Sequence, residues 1–447
     1  MKLSKLNFEM YAFFGIMSLL FLNYDLFVAA ALIYILFLIF IKYEIEVTTI
    51  FKFLTYIYVI SFFTVVRLLP IVNKNYLPIW NRIAQQNYLI GDGYFLSEDI
   101  FLDLQLTLFS MSCNTNQLTY KIRYSSDYLD TKILSCPYET PYGNVLNFIK
   151  INENIWQSTV IAGTILLFLF FLVYLDIVKD FEGKKFILST LLFVSPPINF
   201  LLFRLNIDLF IFFMVYIFIF KLGDKFLLKT MALFAATLVK FYTIAIIFFD
   251  LVNNVLSKRY RYSLISIAAF AISISYLLFF DSNTQFLDWF NRPIESNINF
   301  GIFNDALYLS QIFGVSWFII FCCLTLLILG FIFIIPEAKI SHNLNENELS
   351  IMTLFLSMAV FSNFDYRLVF LLLLIKPFLF KKINLSFISM TIFMYTSPSL
   401  LHAYENYYKI VRNDEIFFLD FSFYFFIAIC SKTMWIKLFK LRSSPTN

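Results

Sequence analysis

Apolar stretches of about 20 residues, each long enough to cross a bilayer as a helix, recur from one end of the chain to the other. The clearest are 156–175, 263–280 and 309–335. None shows the short alternation of apolar and polar positions that marks a transmembrane β-barrel, so the pattern predicts helices. One polar interruption is long: residues 71–155 scatter Asn, Asp, Tyr and Ser with no sustained apolar run. The pattern therefore divides the chain into N-terminal transmembrane helices over 1–70, a loop domain over 71–155 and a transmembrane helical bundle over 156–447. Residues 1–41 are basic and then apolar, as in a signal peptide. A further apolar run follows at once and no cleavage site stands out, which favours an uncleaved span.

Composition agrees with a lipid environment. Hydrophobic residues make up 60% and charged residues 14%, against about 45–50% and about a quarter in soluble domains. A soluble core could not hide that much apolar surface. The fold class expected is an all-α polytopic membrane protein, with roughly 10–14 transmembrane or re-entrant helices and a large first loop outside the cytoplasm. Charge placement gives this orientation. Most Lys and Arg fall in segments that hydropathy places on one side, among them Lys179, Lys184, Lys185, Lys258, Arg259, Arg261, Lys381 and Lys382. By the positive-inside rule that side is cytoplasmic. The short outer loops 281–308 and 401–417 hold few cations. Arg67, Arg204, Lys240 and Arg367 remain, within or at the outer ends of apolar runs.

The same orientation predicts two breaks. Residues 229–257 have basic ends that both belong in the cytoplasm, so two half-helices folding back near Lys240 satisfy them. The stretch 350–380 behaves alike, turning near residue 365. Broken helices at membrane depth are tolerated where protein or a wet cavity surrounds them. The alternative is one full span at either place, with a loop assigned one crossing out of step.

Several function classes are excluded by what is missing. There is no Gly-rich phosphate loop. His342 and His402 are the only histidines, and neither has the helical partner of a zinc protease. No Ser–His arrangement and no basic, aromatic-interleaved patch for nucleic acid is present. Cys322, Cys323 and Cys430 lie in apolar runs and read as packing residues. Cys113 and Cys136 fall in the outer region, where a disulfide is permitted; two separate thiols are the alternative.

Ionisable residues inside apolar runs are costly and are functional candidates by default. Three clusters qualify. The first runs from Ser195-Pro196-Pro197 to Arg204, Asn206 and Asp208, where two prolines break the helix. The second is Lys240-Phe241-Tyr242. The third is Asn363-Phe364-Asp365-Tyr366-Arg367. Each could be self-contained, with Arg204 pairing Asp208, Lys240 snorkelling and Asp365 pairing Arg367. Together they place three cations and two carboxylates at one depth, which an anion such as a lipid-linked phosphate would suit.

The order of these clusters resembles glycosyltransferase family 87, polytopic mannosyltransferase-type enzymes that use polyprenyl-phosphate sugars and have the C-type glycosyltransferase architecture. The resemblance extends to the outer region, through Asp103-Leu104-Gln105, Ser112-Cys113 and Cys136-Pro137 followed by Tyr142-Gly143. It covers about residues 100 to 375 on short motifs. Two positions depart from the family pattern: Leu205 stands where Gly is usual, and Thr243 where Pro is usual. The first gives up backbone freedom at a turn; the second weakens the break near Lys240.

The resemblance implies transfer of a hexose, mannose-like, from a polyprenyl-phosphate sugar to an acceptor hydroxyl on the outer face, with inversion and without a nucleotide sugar. It implies a carboxylate base in the first outer region, for which Asp103 is the first choice and Asp99 and Asp92 are alternatives. Arg204, Lys240 and Arg367 would bind the donor phosphate. Asn206, Asp208, Tyr242, Asn363, Asp365 and Tyr366 would support them. No cofactor and no metal is needed, because the leaving phosphate would face fixed cations. The expected partners are the lipid donor, a lipid or glycan acceptor and membrane lipids, with no nucleic acid, in a bacterial cell (inner) membrane. The competing readings are a lipid-linked glycan transporter or flippase, and a cell-envelope polysaccharide polymerase.

Overall fold

The structure is a computed structural model that describes residues 56, 101–113, 119–121, 133–135, 155–193, 195–222, 225–279, 299–337, 344–360, 363–379, 384–395 and 414–443. The chain forms two units, Met1–Ser61 and Phe62–Asn447. In the first, Tyr56 is the described residue, and it is helical. All that follows concerns the second.

Helices dominate. They are α1 (Leu102–Cys113), α2 (Ile155–Val178), α3 (Gly183–Phe193), α4 (Pro196–Arg204), α5 (Asp208–Val215), α6 (Phe226–Val239) and α7 (Ile244–Leu256). Then come α8 (Tyr260–Phe279), α9 (Ile302–Phe313), α10 (Trp317–Ile334), α11 (Glu346–Val360), α12 (Ile375–Leu379), α13 (Leu385–Tyr395) and α14 (Asp414–Ser443). The strands among the described residues are very short. β1 (Thr119–Lys121) pairs antiparallel with β2 (Ile133–Ser135). β3 (Asn299–Phe300) pairs with β4 (Asn363–Phe364), in the register Asn299 to Phe364 and Phe300 to Asn363.

Among the described residues, two helical segments are long and apolar enough to cross a membrane: Gln157–Val178, with mean hydropathy 2.5, and Trp317–Ile334, with mean hydropathy 2.9. On α2 the exposed side chains include Ile161, Ile165, Phe168 and Leu172, which recur at helical spacing along one face. Its other face buries Leu167, Phe170, Tyr174 and Val178. On α10, Phe318, Leu326, Phe333 and Ile334 are exposed. Apolar residues line both faces of these helices, unlike a water-facing helix.

Rings build the core beneath α2. Phe170 meets Phe193 at 5.6 Å and Phe212 at 6.0 Å, Tyr174 meets Phe193 at 5.0 Å, and Phe212 meets Phe370 at 6.1 Å. Phe370 also contacts Tyr242 at 5.9 Å. The Tyr174–Phe193, Phe212–Phe370 and Tyr242–Phe370 pairs pack edge-on, which at these separations stabilises beyond area burial alone. It fixes α2, α3, α5 and the 365–374 segment around one centre.

Three helix interruptions matter most. Between α3 and α5, Ser195 precedes Pro196 and Pro197 at the first turn of α4, where proline's missing N–H costs nothing. α4 ends at Leu205, whose backbone is left-handed (φ 48°, ψ 54°), with its N–H bonded to the Leu201 carbonyl. Leu205 itself thus adopts a left-handed conformation, one usually left to Gly. Asn206 Oδ1 then accepts the Asp208 N–H at 3.1 Å and satisfies a donor at the start of α5.

The second interruption is at Lys240, which is extended (φ −145°, ψ 121°) between α6 and the 3₁₀ turn Phe241–Thr243. The chain reverses there. Lys229 on α6 and Asp250 on α7, nearly equidistant from Lys240 in sequence, form a buried ion pair at 2.9 Å. Lys229, which the charge pattern places in a cytoplasmic segment, is therefore buried, because α7 brings it a carboxylate. Thr243 helps to hold this break. Its buried hydroxyl lies 3.1 Å from the Lys240 carbonyl and 2.9 Å from the Thr237 hydroxyl.

The third interruption follows α11. Strand β4 leads into ten residues of 3₁₀ helix, Asp365–Leu374, an unusually long run for that conformation. The segment from Leu368 to Ile375 is almost completely buried. At the opposite end of α2, Lys376 bonds Asp180 at 2.8 Å. The Lys376 ammonium beside Asp180 holds its carboxyl below the usual carboxylate range.

Candidate active site

α1, the α4–α5 turn, the α6–α7 break and the 3₁₀ segment each deliver charged side chains to one point. Asp103 sits in the first turn of α1, where the helix dipole favours a carboxylate. Phe101, just before it, is left-handed (φ 57°) and its carbonyl accepts the Gln105 N–H at 2.8 Å. Phe101 and Leu205 are both completely buried and both press on Gly163 of α2. A Cβ there would lie 2.8 Å from Leu205 Cδ1 and 2.9 Å from Phe101 Cε2. Gly163 thus admits the residues flanking Asp103 and Asn206.

The polar contacts form a continuous chain. Arg204 donates from Nε (2.9 Å) and Nη2 (2.6 Å) to a single oxygen, Oδ1 of Asp103. Asn206 Nδ2 donates to the other, Oδ2, at 2.6 Å. Asn206 Oδ1 in turn accepts from Lys240 Nζ at 3.1 Å. Lys240 also donates to Asp208 Oδ2 at 2.8 Å, and the Tyr242 hydroxyl donates to Asp208 Oδ1. Arg367 Nε lies 3.5 Å from Asp208 Oδ2, with its guanidinium carbon 5.1 Å from the Tyr242 ring centroid, within cation–π range.

Every candidate whose side chain the structure describes joins this network: Asp103, Arg204, Asn206, Asp208, Lys240, Tyr242 and Arg367. The self-contained pairing of Arg204 with Asp208 does not hold. Arg204 ends α4 on one side of the left-handed turn, Asp208 begins α5 on the other, and each pairs with a residue of another element. Asp92, Asp99 and Cys136 lie outside the described residues, as do the side chains of Cys113, Asn363, Asp365 and Tyr366. No group of three or more His, Cys, Asp or Glu among the described residues is placed to hold a metal.

The two carboxylates have different surroundings. Asp208 is completely buried and takes three partners from two elements, the arrangement a buried charge requires. Asp103 is at the edge, bound to the most exposed of the three cations. The five charges sum to one net positive. The cluster can therefore hold an anion beside Asp103, whose two oxygens are occupied by Arg204 and Asn206.

Sequence reading missed other buried polar contacts, including the Lys229–Asp250 pair and the bond from the Tyr424 hydroxyl to buried Asp305. The first had a signal, the symmetric placement of opposite charges about Lys240. The second joins α9 to α14 across a long sequence separation and had none. No protein-family model, curated protein or solved structure matches the chain.

Proposed function

We propose that this chain is a multi-pass membrane glycosyltransferase that moves a hexose, mannose-like, from a polyprenyl-phosphate sugar to an acceptor hydroxyl outside the cytoplasm. The observation that carries the reading is the convergence of Asp103 with Arg204, Lys240 and Arg367 from four separate parts of the chain. The apolar stripes on α2 and α10 support the membrane setting. The order of the motifs supports the family 87 resemblance and its C-type architecture.

The chemistry follows from the two carboxylates. Asp103 takes the proton of the acceptor hydroxyl as general base. The acceptor oxygen forms a bond to the anomeric carbon from the face opposite the leaving group. The bond from that carbon to the phosphate oxygen breaks, and its electron pair leaves with polyprenyl phosphate, so configuration inverts. Arg204, Lys240 and Arg367 stabilise the charge gathering on that phosphate, the last two in geometry fixed beforehand by Asp208, Asn206 and Tyr242. The products are the glycosylated acceptor, polyprenyl phosphate and a protonated Asp103.

The test is transfer by membranes containing the full chain, with a panel of polyprenyl-phospho-sugars and the released polyprenyl phosphate as readout. Release with one donor, lost in Asp103→Asn, is expected. Release by Asp103→Asn at the wild-type rate removes Asp103 from the mechanism. No release from any donor overturns the enzyme reading.

A further inference from the structure

Arg204 faces two demands. Its Nε–H and Nη2–H both point at Asp103 Oδ1, yet under the glycosyltransferase reading the same fork is a natural partner for a phosphate. Asp103, for its part, needs an oxygen lone pair available to the acceptor hydroxyl, while Arg204 takes Oδ1 and Asn206 takes Oδ2.

The other two cations are less free to exchange partners. Their side chains are 7% and 2% exposed, for Lys240 and Arg367, and both attend Asp208, whose side chain is 0% exposed. Withdrawing either leaves a buried carboxylate undercompensated, which is strongly unfavourable. Arg204 is 21% exposed and Asp103 9%. If Arg204 turns away, Asp103 still keeps Asn206 Nδ2 and the N-terminus of α1.

We propose that Arg204 is shared, its Nε–H and Nη2–H serving Asp103 and the donor phosphate in alternation, so that donor binding releases Asp103 Oδ1 to act on the acceptor. Donor then binds before acceptor, and the base is unmasked only when a lipid phosphate occupies the site. This inference rests on the lipid-phosphate reading of the site.

The experiment measures polyprenyl phosphate binding to the full chain in nanodiscs that contain phosphatidylglycerol throughout, so that bulk anionic headgroups compete equally in every sample. Polyprenol, which lacks the phosphate, is the control. Wild type, Asp103→Asn, Arg204→Gln and the double variant form a cycle. A neutral amide holds a guanidinium less tightly than a carboxylate. Asp103→Asn should therefore bind polyprenyl phosphate about tenfold more tightly than wild type, about 1.4 kcal/mol. In the Arg204→Gln background the same change should shift affinity by less than about twofold.

Equal tightening in both backgrounds would mean simple relief of charge repulsion and would overturn the sharing. Unchanged or weaker binding in Asp103→Asn would overturn it as well. Wild type that binds polyprenol as tightly as polyprenyl phosphate would instead overturn the lipid-phosphate reading itself.

Discussion

Asp208 is locked between Lys240, Tyr242 and Arg367, whereas Asp103 stands at the edge with Arg204 and Asn206. Substitution at these two positions should therefore separate stability from activity. Asp103→Asn keeps an oxygen for Arg204 but sets an amide N–H against Asn206 Nδ2; it should lower transfer by about 10²–10⁴-fold, the usual contribution of a general base, and lower the unfolding temperature in detergent less than Asp208→Leu does. Asp208→Leu should cost about 3–5 kcal/mol of stability, because two cations lose their buried partner. Leu205 offers a backbone test. A β-branched side chain is poorly tolerated at positive φ, so Leu205→Val should lower the melting temperature more than Leu205→Met, although both remain apolar. Equal melting temperatures would contradict the left-handed turn. At this scale the sequence displayed three clusters of polar residues, whose described members meet in one network. It did not display their partners, because Arg204 and Asp208 are neighbours along the chain while the turn at Leu205 assigns them to different elements.

The α6–α7 hairpin turns at Lys240, and two interactions hold it closed: the Lys229–Asp250 pair and the Thr243 hydroxyl. Lys229→Met alone should destabilise by about 3–5 kcal/mol, since it strands Asp250. The double variant Lys229→Met with Asp250→Leu should recover most of that loss, read from chemical or thermal unfolding of the full chain. A double variant no better than the single would contradict the pairing. Thr243→Val keeps shape and removes the hydroxyl from the Lys240 carbonyl, with an expected cost of about 1–3 kcal/mol. It should also lower transfer, because Lys240 is the residue at the break. The interruptions themselves were legible in the sequence as polar residues inside apolar runs, with prolines at 196 and 197 and basic ends around 240. The means of holding the second break was not, since a threonine in an apolar run is ordinary and its bond to a carbonyl three residues back depends on the 3₁₀ turn. The long 3₁₀ segment that starts at Asp365 likewise had no pattern to announce it, because from Leu368 to Leu374 its residues are all apolar and packing decides its winding.

Over the whole molecule, hydropathy and charge outlined a helical chain with a polar region early on, and the described residues are mainly helical. What positions the site is an approach between distant elements that no local pattern contains. Phe101 and Leu205 meet over Gly163, and the small residue in α2 lets α1 and the α4–α5 turn close on each other. The aromatic contacts through Phe212, Phe370 and Tyr242 then join that turn to the break at Lys240 and to the segment carrying Arg367. The central claim is that this convergence transfers a sugar from a lipid phosphate. Its most direct measurement is release of polyprenyl phosphate from a panel of polyprenyl-phospho-sugars by the full chain in nanodiscs, wild type beside Asp103→Asn. The account predicts release by wild type with at least one donor and a loss of about 10²-fold or more in the variant; no release from any donor, or equal release by both proteins, would contradict it.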